Sequence, residues 1–212
     1  MKHNFTLVEL LVTVGIIAIL AGLVIPAVIS SQNQGRITQA KSDMNAIKLA
    51  LKSVETTYGK IINTGKALGS STVSTSVDQL EINENSKEVY KAFIAELSDP
   101  NNKKFIAKNP ELNFNTRRIK FLDPSADYDP TKEYNKNDNE FKQPEQWIDP
   151  WGKAYNIVID LKFRGYVTIN SKNRAGSFQI YSWGPDGESQ NGDNEDQNGG
   201  ATGSDDIATW HK

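Results

Sequence analysis

Residues 5–29 read FTLVELLVTVGIIAILAGLVIPAVI and hold nearly all of the strongest apolar sequence in the chain. About 20 consecutive apolar residues are enough for a helix to cross a bilayer. An ordinary secretory signal has a basic region, a shorter apolar core and a cleavage site after that core. Here only residues 1–4 precede the apolar run. The sequence therefore predicts a membrane-spanning helix at the start of the chain.

The charges beside this segment predict its orientation. Lys2 and the N-terminal amine are the nearby positive charges on the N-terminal side. Because basic residues favour the cytoplasmic face, we expect the start of the chain in the cytoplasm and the remainder outside.

The remaining composition narrows the classes of function. Mean hydropathy is -0.54 although the apolar run is included, so the rest of the chain is predicted to be soluble. With 24 basic and 26 acidic residues and no extended Lys/Arg run, nucleic acid is not an expected partner. The absence of cysteine excludes disulfides, thiolate catalysis and sulfur-ligated zinc.

A second apolar pattern follows Pro26 at alternating spacings of three and four. It consists of Ile37, Ala40, Met44, Ile47, Leu51, Val54 and Tyr58. This spacing is typical of one face of a helix, and Pro26 can kink a helix without ending it. We expect one helix from about Phe5 to Tyr58, closed by Gly59. A coiled-coil seam is the alternative reading, but we favour a face that packs on the protein's own sheet.

The middle of the chain predicts few regular elements. Residues 60–76 are rich in Gly, Ser and Thr and indicate an irregular connection. Ser86 is a candidate cap for a helix that ends at Leu97, before Asp99 and Pro100. Its apolar side would comprise Val89, Tyr90, Phe93, Ile94 and Leu97. Residues 101–146 suggest a long surface excursion, with residues 118–122 as a strand or a buried anchor.

The C-terminal part predicts a small sheet. Residues 149–152, DPWG, form an expected turn. Three apolar stretches follow, at residues 155–160, 165–170 and 178–183. Their short separations predict an antiparallel meander. The predicted fold is α+β, with a long N-terminal helix whose outer half packs on this sheet.

The N-terminal motif resembles that of type IV prepilins and pseudopilins. Residues 5–10, FTLVEL, are followed by the apolar helix and Pro26 as in that family. The resemblance implies that a prepilin peptidase cuts between Asn4 and Phe5 and methylates the amine of Phe5. It implies that Glu9 neutralises the amine of a neighbouring subunit during assembly. The family usually has Gly before the cut, where this chain has Asn4.

Three C-terminal motifs resemble those of the major pseudopilin of type II secretion systems. They are DPWG at residues 149–152, YSWGPDG at residues 181–187, and SDDI at residues 204–207 with Trp210 near the end. The resemblance implies a calcium site formed by the carbonyls of Trp183 and Glu188 and the side chains of Asp186, Asp205 and Asp206. Calcium prefers six to eight oxygen ligands, which a Gly-rich acidic loop can supply. A solvated acidic loop is the alternative.

The resemblance implies the following organisation. Residues 1–4 form a leader, residues 5–29 the membrane and assembly helix, and residues 30–212 a soluble pseudopilin domain. Within that domain, residues 59–145 are an enlarged variable region, and residues 146–212 hold the sheet and calcium loop. The chain is expected in the bacterial inner membrane, with a periplasmic domain that enters a pseudopilus with copies of itself. Other pseudopilins and inner-membrane secretion components are further expected partners.

Two other functions compete with that of a structural subunit. An enzyme is disfavoured because the histidines lie at the ends of the chain and no HExxH or GxSxG motif occurs. A minor or specialised pilin that displays a ligand-binding domain remains an alternative. Tyr128, Tyr134, Phe141 and Trp147 could hold a ligand, although such aromatics more often anchor a loop to its own domain.

Overall fold

The computed structural model describes residues 7–61, 78–101, 114–124, 128–129, 146–185, 187 and 207–210. The chain divides into two compact units, Met1–Thr38 and Gln39–Lys212. Helices α1 (Leu7–Tyr58) and α2 (Lys87–Ser98) are accompanied by strands β1 (Gln79–Ile82), β2 (Asn156–Asp160), β3 (Tyr166–Ile169), β4 (Lys172–Ala175), β5 (Phe178–Ser182) and β6 (Ile207–Ala208). This arrangement confirms the predicted α+β, pilin-like fold.

Helix α1 runs without interruption past Pro26, as predicted. It ends at Gly59, which has a φ of 73° and whose amide donates to the Glu55 carbonyl at 2.8 Å. A residue with a Cβ adopts this left-handed conformation at a cost, which explains why glycine closes the helix. The predicted start at Phe5 lies outside the described residues.

The second apolar pattern is a core face. Ala40, Met44, Ile47, Leu51 and Val54 are all buried. The same half of α1 contacts the C-terminal part of its unit in two places. The Tyr155 hydroxyl donates to Asp43 at 2.9 Å, and the Lys52 ammonium lies 5.3 Å from the ring centre of Phe178. The prediction of a core face is therefore confirmed.

Helix α2 confirms the predicted element but not its predicted cap. Its five predicted apolar residues are buried, with Tyr90, Phe93, Ile94 and Leu97 fully so. Ser86 occupies the capping position, yet its side chain makes no capping hydrogen bond. Its hydroxyl donates instead to the Asn83 carbonyl and accepts from the Asn83 amide, both at 2.9 Å. The hydroxyl thus closes the preceding turn rather than the helix.

The meander prediction was wrong in its pairing. The four-stranded antiparallel sheet has the order β1-β2-β5-β6, so β2 pairs with β5 and not with β3. Strand β3 pairs with β4 in a separate two-stranded sheet. Asn170 and Ser171 link them with φ values of 48° and 60°. Two consecutive positive φ angles give a tight hairpin whose twist matches that of its strands, so β3 pairs locally.

Residues 114–124 form an anchor and contain no strand. The amides of Phe121 and Leu122 both donate to the Leu97 carbonyl at the end of α2, at 2.8 and 3.0 Å. Leu122 is buried and Ile119 is exposed. Of the two predictions for residues 118–122, the buried anchor holds for Leu122 and the strand does not.

Candidate assembly helix and C-terminal loop

The first half of α1 presents an apolar surface. Every large apolar side chain from Leu7 to Ile29 is between 45% and 78% exposed. Complete burial of one such side chain stabilises by about 1.5–3 kcal/mol, so the exposed stretch represents on the order of 15 kcal/mol. That is comparable to the entire stability of a typical domain, about 5–15 kcal/mol. A lipid or protein environment is needed to cover this surface.

The length and composition of α1 also meet the criteria for a membrane span. Among the described helices, α1 alone is long and apolar enough to cross a membrane. A signal sequence or the core helix of a soluble protein can have the same length and composition. A core helix is mostly buried, whereas no residue of the apolar window of α1 is buried within the chain.

Glu9 lies in the first described turn of α1 and is exposed. The N-terminal end of a helix carries a partial positive charge, which favours a carboxylate there. Asn4 and Phe5, the predicted cleavage and methylation residues, lie outside the described part of the chain. Thr13 lies one turn further along α1. Its hydroxyl donates a hydrogen bond to the Leu10 carbonyl at 2.8 Å, within the same helix.

The predicted calcium ligands are only partly described. Trp183 directly follows β5, whereas Asp186, Glu188, Asp205 and Asp206 lie outside the described residues. The register of the sheet bears on this loop, because Ser182 pairs with Ile207 in antiparallel β5 and β6. The chain thus leaves the sheet after Ser182 and returns to it at the directly opposite residue.

Asp149 connects the DPWG turn to the start of this loop. One carboxylate oxygen accepts from the Trp151 and Lys153 amides at 3.0 and 2.9 Å. The other accepts from the Ser182 hydroxyl at 2.5 Å, and that hydroxyl accepts from the Gly184 amide at 3.1 Å. The buried carboxylate therefore fixes the conformation on both sides of Trp183.

Burial dominates the electrostatics of Asp149. Loss of solvation raises the pKa of this carboxyl above its ordinary value, although hydrogen bonds from Ser182 and from the turn oppose that rise. The sequence identified Asp149 only as the first residue of a turn. Its bond to Ser182 spans 33 residues, and no local pattern signals it.

A positive charge lies beside Trp183. The Lys153 ammonium is 4.9 Å from the centre of the Trp183 ring and 3.7 Å from a carboxylate oxygen of Glu84. A cation over an aromatic face is attracted to the ring electrons. Lys153 therefore joins the DPWG turn, the loop start and the segment before α2.

The two described aromatic residues of the alternative ligand surface, Trp147 and Tyr128, lie in different environments. Trp147 is buried and packs edge-on against Tyr155, with ring centres 6.2 Å apart. Tyr128 is half-buried, and burial raises the pKa of its hydroxyl. Trp147 thus acts as an anchor within the domain. Tyr134 and Phe141 lie outside the described residues.

Comparison with known proteins gives one informative relative. The chain is 48% identical over 50 residues to the type II secretion system core protein G of Pseudomonas aeruginosa. The match covers 24% of this chain and 35% of the relative, so the chain spans about a third of the length of the curated protein it matches. No family model matches the chain, and no solved structure matches it. In sequence the chain is similar to the major pseudopilin of type II secretion systems, and in fold it is a pilin-like protein with a long N-terminal helix and a small antiparallel sheet.

Proposed function

We propose that the chain is a structural subunit of a type II secretion pseudopilus that supports protein export and is not an enzyme. The observation that carries the proposal is the exposed apolar half of α1, with Glu9 in its first described turn. The similarity to a core protein of a type II secretion system supports the same role.

Before assembly, residues 5–29 lie in the inner membrane, with the N-terminus in the cytoplasm and the domain in the periplasm. Prepilin peptidase cuts after Asn4 and methylates Phe5. The apolar helices of neighbouring copies then cover one another as the filament forms. Other pseudopilins and inner-membrane components of the secretion system take part in this assembly.

Glu9 acts in assembly more than in insertion. A carboxylate near the interface has a modest membrane cost, below the roughly 2.5–3.5 kcal/mol estimated at the bilayer centre. Inside a filament the same carboxylate needs a compensating charge. The methylated amine of Phe5 from a neighbouring copy provides it.

We also propose that calcium binds between the end of β5 and the start of β6. Its ligands are the carbonyls of Trp183 and Glu188 and the side chains of Asp186, Asp205 and Asp206. Support comes from the β5–β6 register, since Trp183 and Asp206 adjoin the paired residues Ser182 and Ile207. The bonds of Asp149 to Ser182 and to the DPWG turn provide a fixed base for such a loop.

The assembly proposal predicts different outcomes for two substitutions in the same helix. Glu9→Ala should insert into membranes normally but reduce sheared surface filaments at least about tenfold, because an uncompensated amine would remain buried. Thr13→Ala removes a neighbouring hydroxyl that donates to the Leu10 carbonyl of the same helix, and it should assemble normally. The measurement is immunoblotting of membrane and sheared fractions, in cells whose type II secretion system lacks its own core protein G.

Intact mass and N-terminal sequencing of the membrane fraction complete the experiment. Mature protein should begin at N-methylated Phe5. A mature chain that keeps residues 1–4, or one that loses residues 5–29, would contradict the proposed function. Normal filaments from Glu9→Ala would contradict only the role of that carboxylate.

A further inference from the structure

A basic cavity lies within the Gln39–Lys212 unit. Its volume is about 460 Å³, within the range of pockets that hold small molecules. The described lining residues are Lys48, Lys52, Asn173, Arg174, Ala175, Gly176, Ser177, Phe178, Gln179, Thr209 and Trp210. They come from α1, from β4, from β5 and the connection between these two strands, and from the turn after β6.

The charge of the described lining is positive. It includes Lys48, Lys52 and Arg174 and no Asp or Glu. Lys52 pairs with Glu55 at 2.7 Å, but that pair is partly exposed, and such pairs are weak. Lys48 is half-buried, and the described part of the chain gives it no ion pair. In a chain whose net charge is -2, this cavity concentrates the opposite sign.

The walls of the cavity are already ordered. The Gln179 amide donates to the Ala175 carbonyl at 2.5 Å and accepts from the Thr209 hydroxyl at 2.7 Å. That hydroxyl in turn accepts from the Ile180 amide at 3.1 Å. These polar groups are therefore occupied by the protein itself. Lys48, Lys52 and Arg174 supply the positive charge for the recognition of a ligand.

Aromatic rings hold two of the cations in place. The Arg174 guanidinium lies 5.0 Å from the ring centre of Trp210, and the Lys52 ammonium lies 5.3 Å from that of Phe178. Contacts of this kind orient a cation without neutralising its charge. Fixed cations in a partly enclosed cavity bind an anion more tightly than mobile surface lysines do.

From this geometry we infer that the cavity is a binding site for a small organic dianion, with carboxylate or phosphate groups as the recognised chemistry. Lys48, Lys52 and Arg174 converge on the cavity, so its lining can contact more than one anionic group of the same ligand. The inference does not depend on filament assembly, because all the residues that carry it lie in the Gln39–Lys212 unit.

Calorimetric titration of the full chain in detergent tests the site, in buffer free of divalent cations. Succinate and inorganic phosphate are the probes, and acetate is the monoanionic control. We expect saturable binding of at least one probe, with acetate at least about tenfold weaker, because it offers one anionic group rather than two. The probe that binds more tightly, succinate or phosphate, identifies whether the site prefers carboxylate or phosphate groups. Affinity should fall as ionic strength rises from about 50 to about 300 mM.

Matched substitutions assign the binding to the cavity. Lys48→Met and Arg174→Met should each weaken binding about tenfold, because each removes one charged donor. Lys162→Met removes the same charge from an exposed residue outside the cavity and should leave binding unchanged. Lys48→Met preserves the length of the side chain, so it keeps the test valid if Arg174→Met unfolds. No saturable binding by either dianion, or equal losses in Lys48→Met and Lys162→Met, would overturn the inference.

Discussion

The carboxylate of Asp149 is the residue-scale feature with the widest effect. Asp149→Ala leaves the Ser182 hydroxyl and the Trp151 and Lys153 amides without their acceptor. Lost hydrogen bonds to a charged group cost about 1.5–3 kcal/mol each, partly offset by water, so we expect a loss of about 3 kcal/mol in the free energy of unfolding. Urea unfolding of the full chain in detergent measures it. Asp78→Ala, which removes an exposed acid, is the control and should cost under about 1 kcal/mol.

Asp149→Asn isolates the charge. Burial raises the pKa of Asp149, so the folded state holds its proton more tightly than the unfolded state. The protonated Asp149 carboxyl therefore stabilises the folded state fully at pH values below the ordinary carboxyl pKa. This stabilisation is lost as the pH rises through the raised pKa of the folded state. The amide introduced by this substitution cannot titrate, so the stability of the variant relative to the wild-type chain should increase with pH over that window. A constant difference between the two chains across the window would contradict the raised pKa.

At the scale of elements, Asn115 joins the end of α1, the end of α2 and the 114–124 segment. Its side chain accepts from the Tyr58 hydroxyl at 2.8 Å and donates to the Glu96 carbonyl at 2.7 Å. It also donates to the Ile119 carbonyl at 2.7 Å and accepts from the Ile119 amide at 3.0 Å. This one buried amide satisfies groups from three segments.

Asn115→Ala should therefore destabilise the chain by about 2–4 kcal/mol, since it leaves several buried polar groups unpaired. Thr116→Ala changes the next residue, which is exposed, and should cost less than about 0.5 kcal/mol. Chemical unfolding followed by circular dichroism gives both values. Equal stability of the two variants would show that the three segments do not depend on this amide.

The elements also show what sequence could and could not predict. Both helices were found because their apolar spacing is local. The pairing of β2 with β5 was missed because its two strands are separated along the chain by a hairpin whose strand β4, KNRA, is polar. Strand β1, QLEI, has only four residues and gave too short a pattern to identify. The basic cavity was missed because Lys48 and Arg174 become neighbours only after folding.

For the whole molecule, the proposed calcium loop implies that the free energy of unfolding depends on the calcium concentration. Millimolar calcium at about a hundredfold above the dissociation constant would add about 2.7 kcal/mol by mass action, which raises the melting temperature on the order of 5 °C. Thermal melts of the full chain in detergent, with calcium and then with chelator, measure this shift. Asp205→Asn should abolish it.

The matched control is Asp123→Asn, which removes an acid that is exposed and paired with Lys120. This variant should keep the full response to calcium. Coincident melting curves of the unmodified chain with calcium and with chelator would contradict the calcium proposal, and would leave the proposed role in assembly unchanged.

The pairing of Ser182 with Ile207 has a consequence for how the chain can vary. The chain leaves the sheet after Ser182 and re-enters it at Ile207, which is directly opposite, so the sheet fixes the separation of these two points whatever lies between them. The entropy of closing such a connection grows only logarithmically, and a doubling of its length costs about 0.6 kcal/mol. Length here is nearly neutral for folding, which makes this stretch a natural position for evolutionary insertions and for epitope tags.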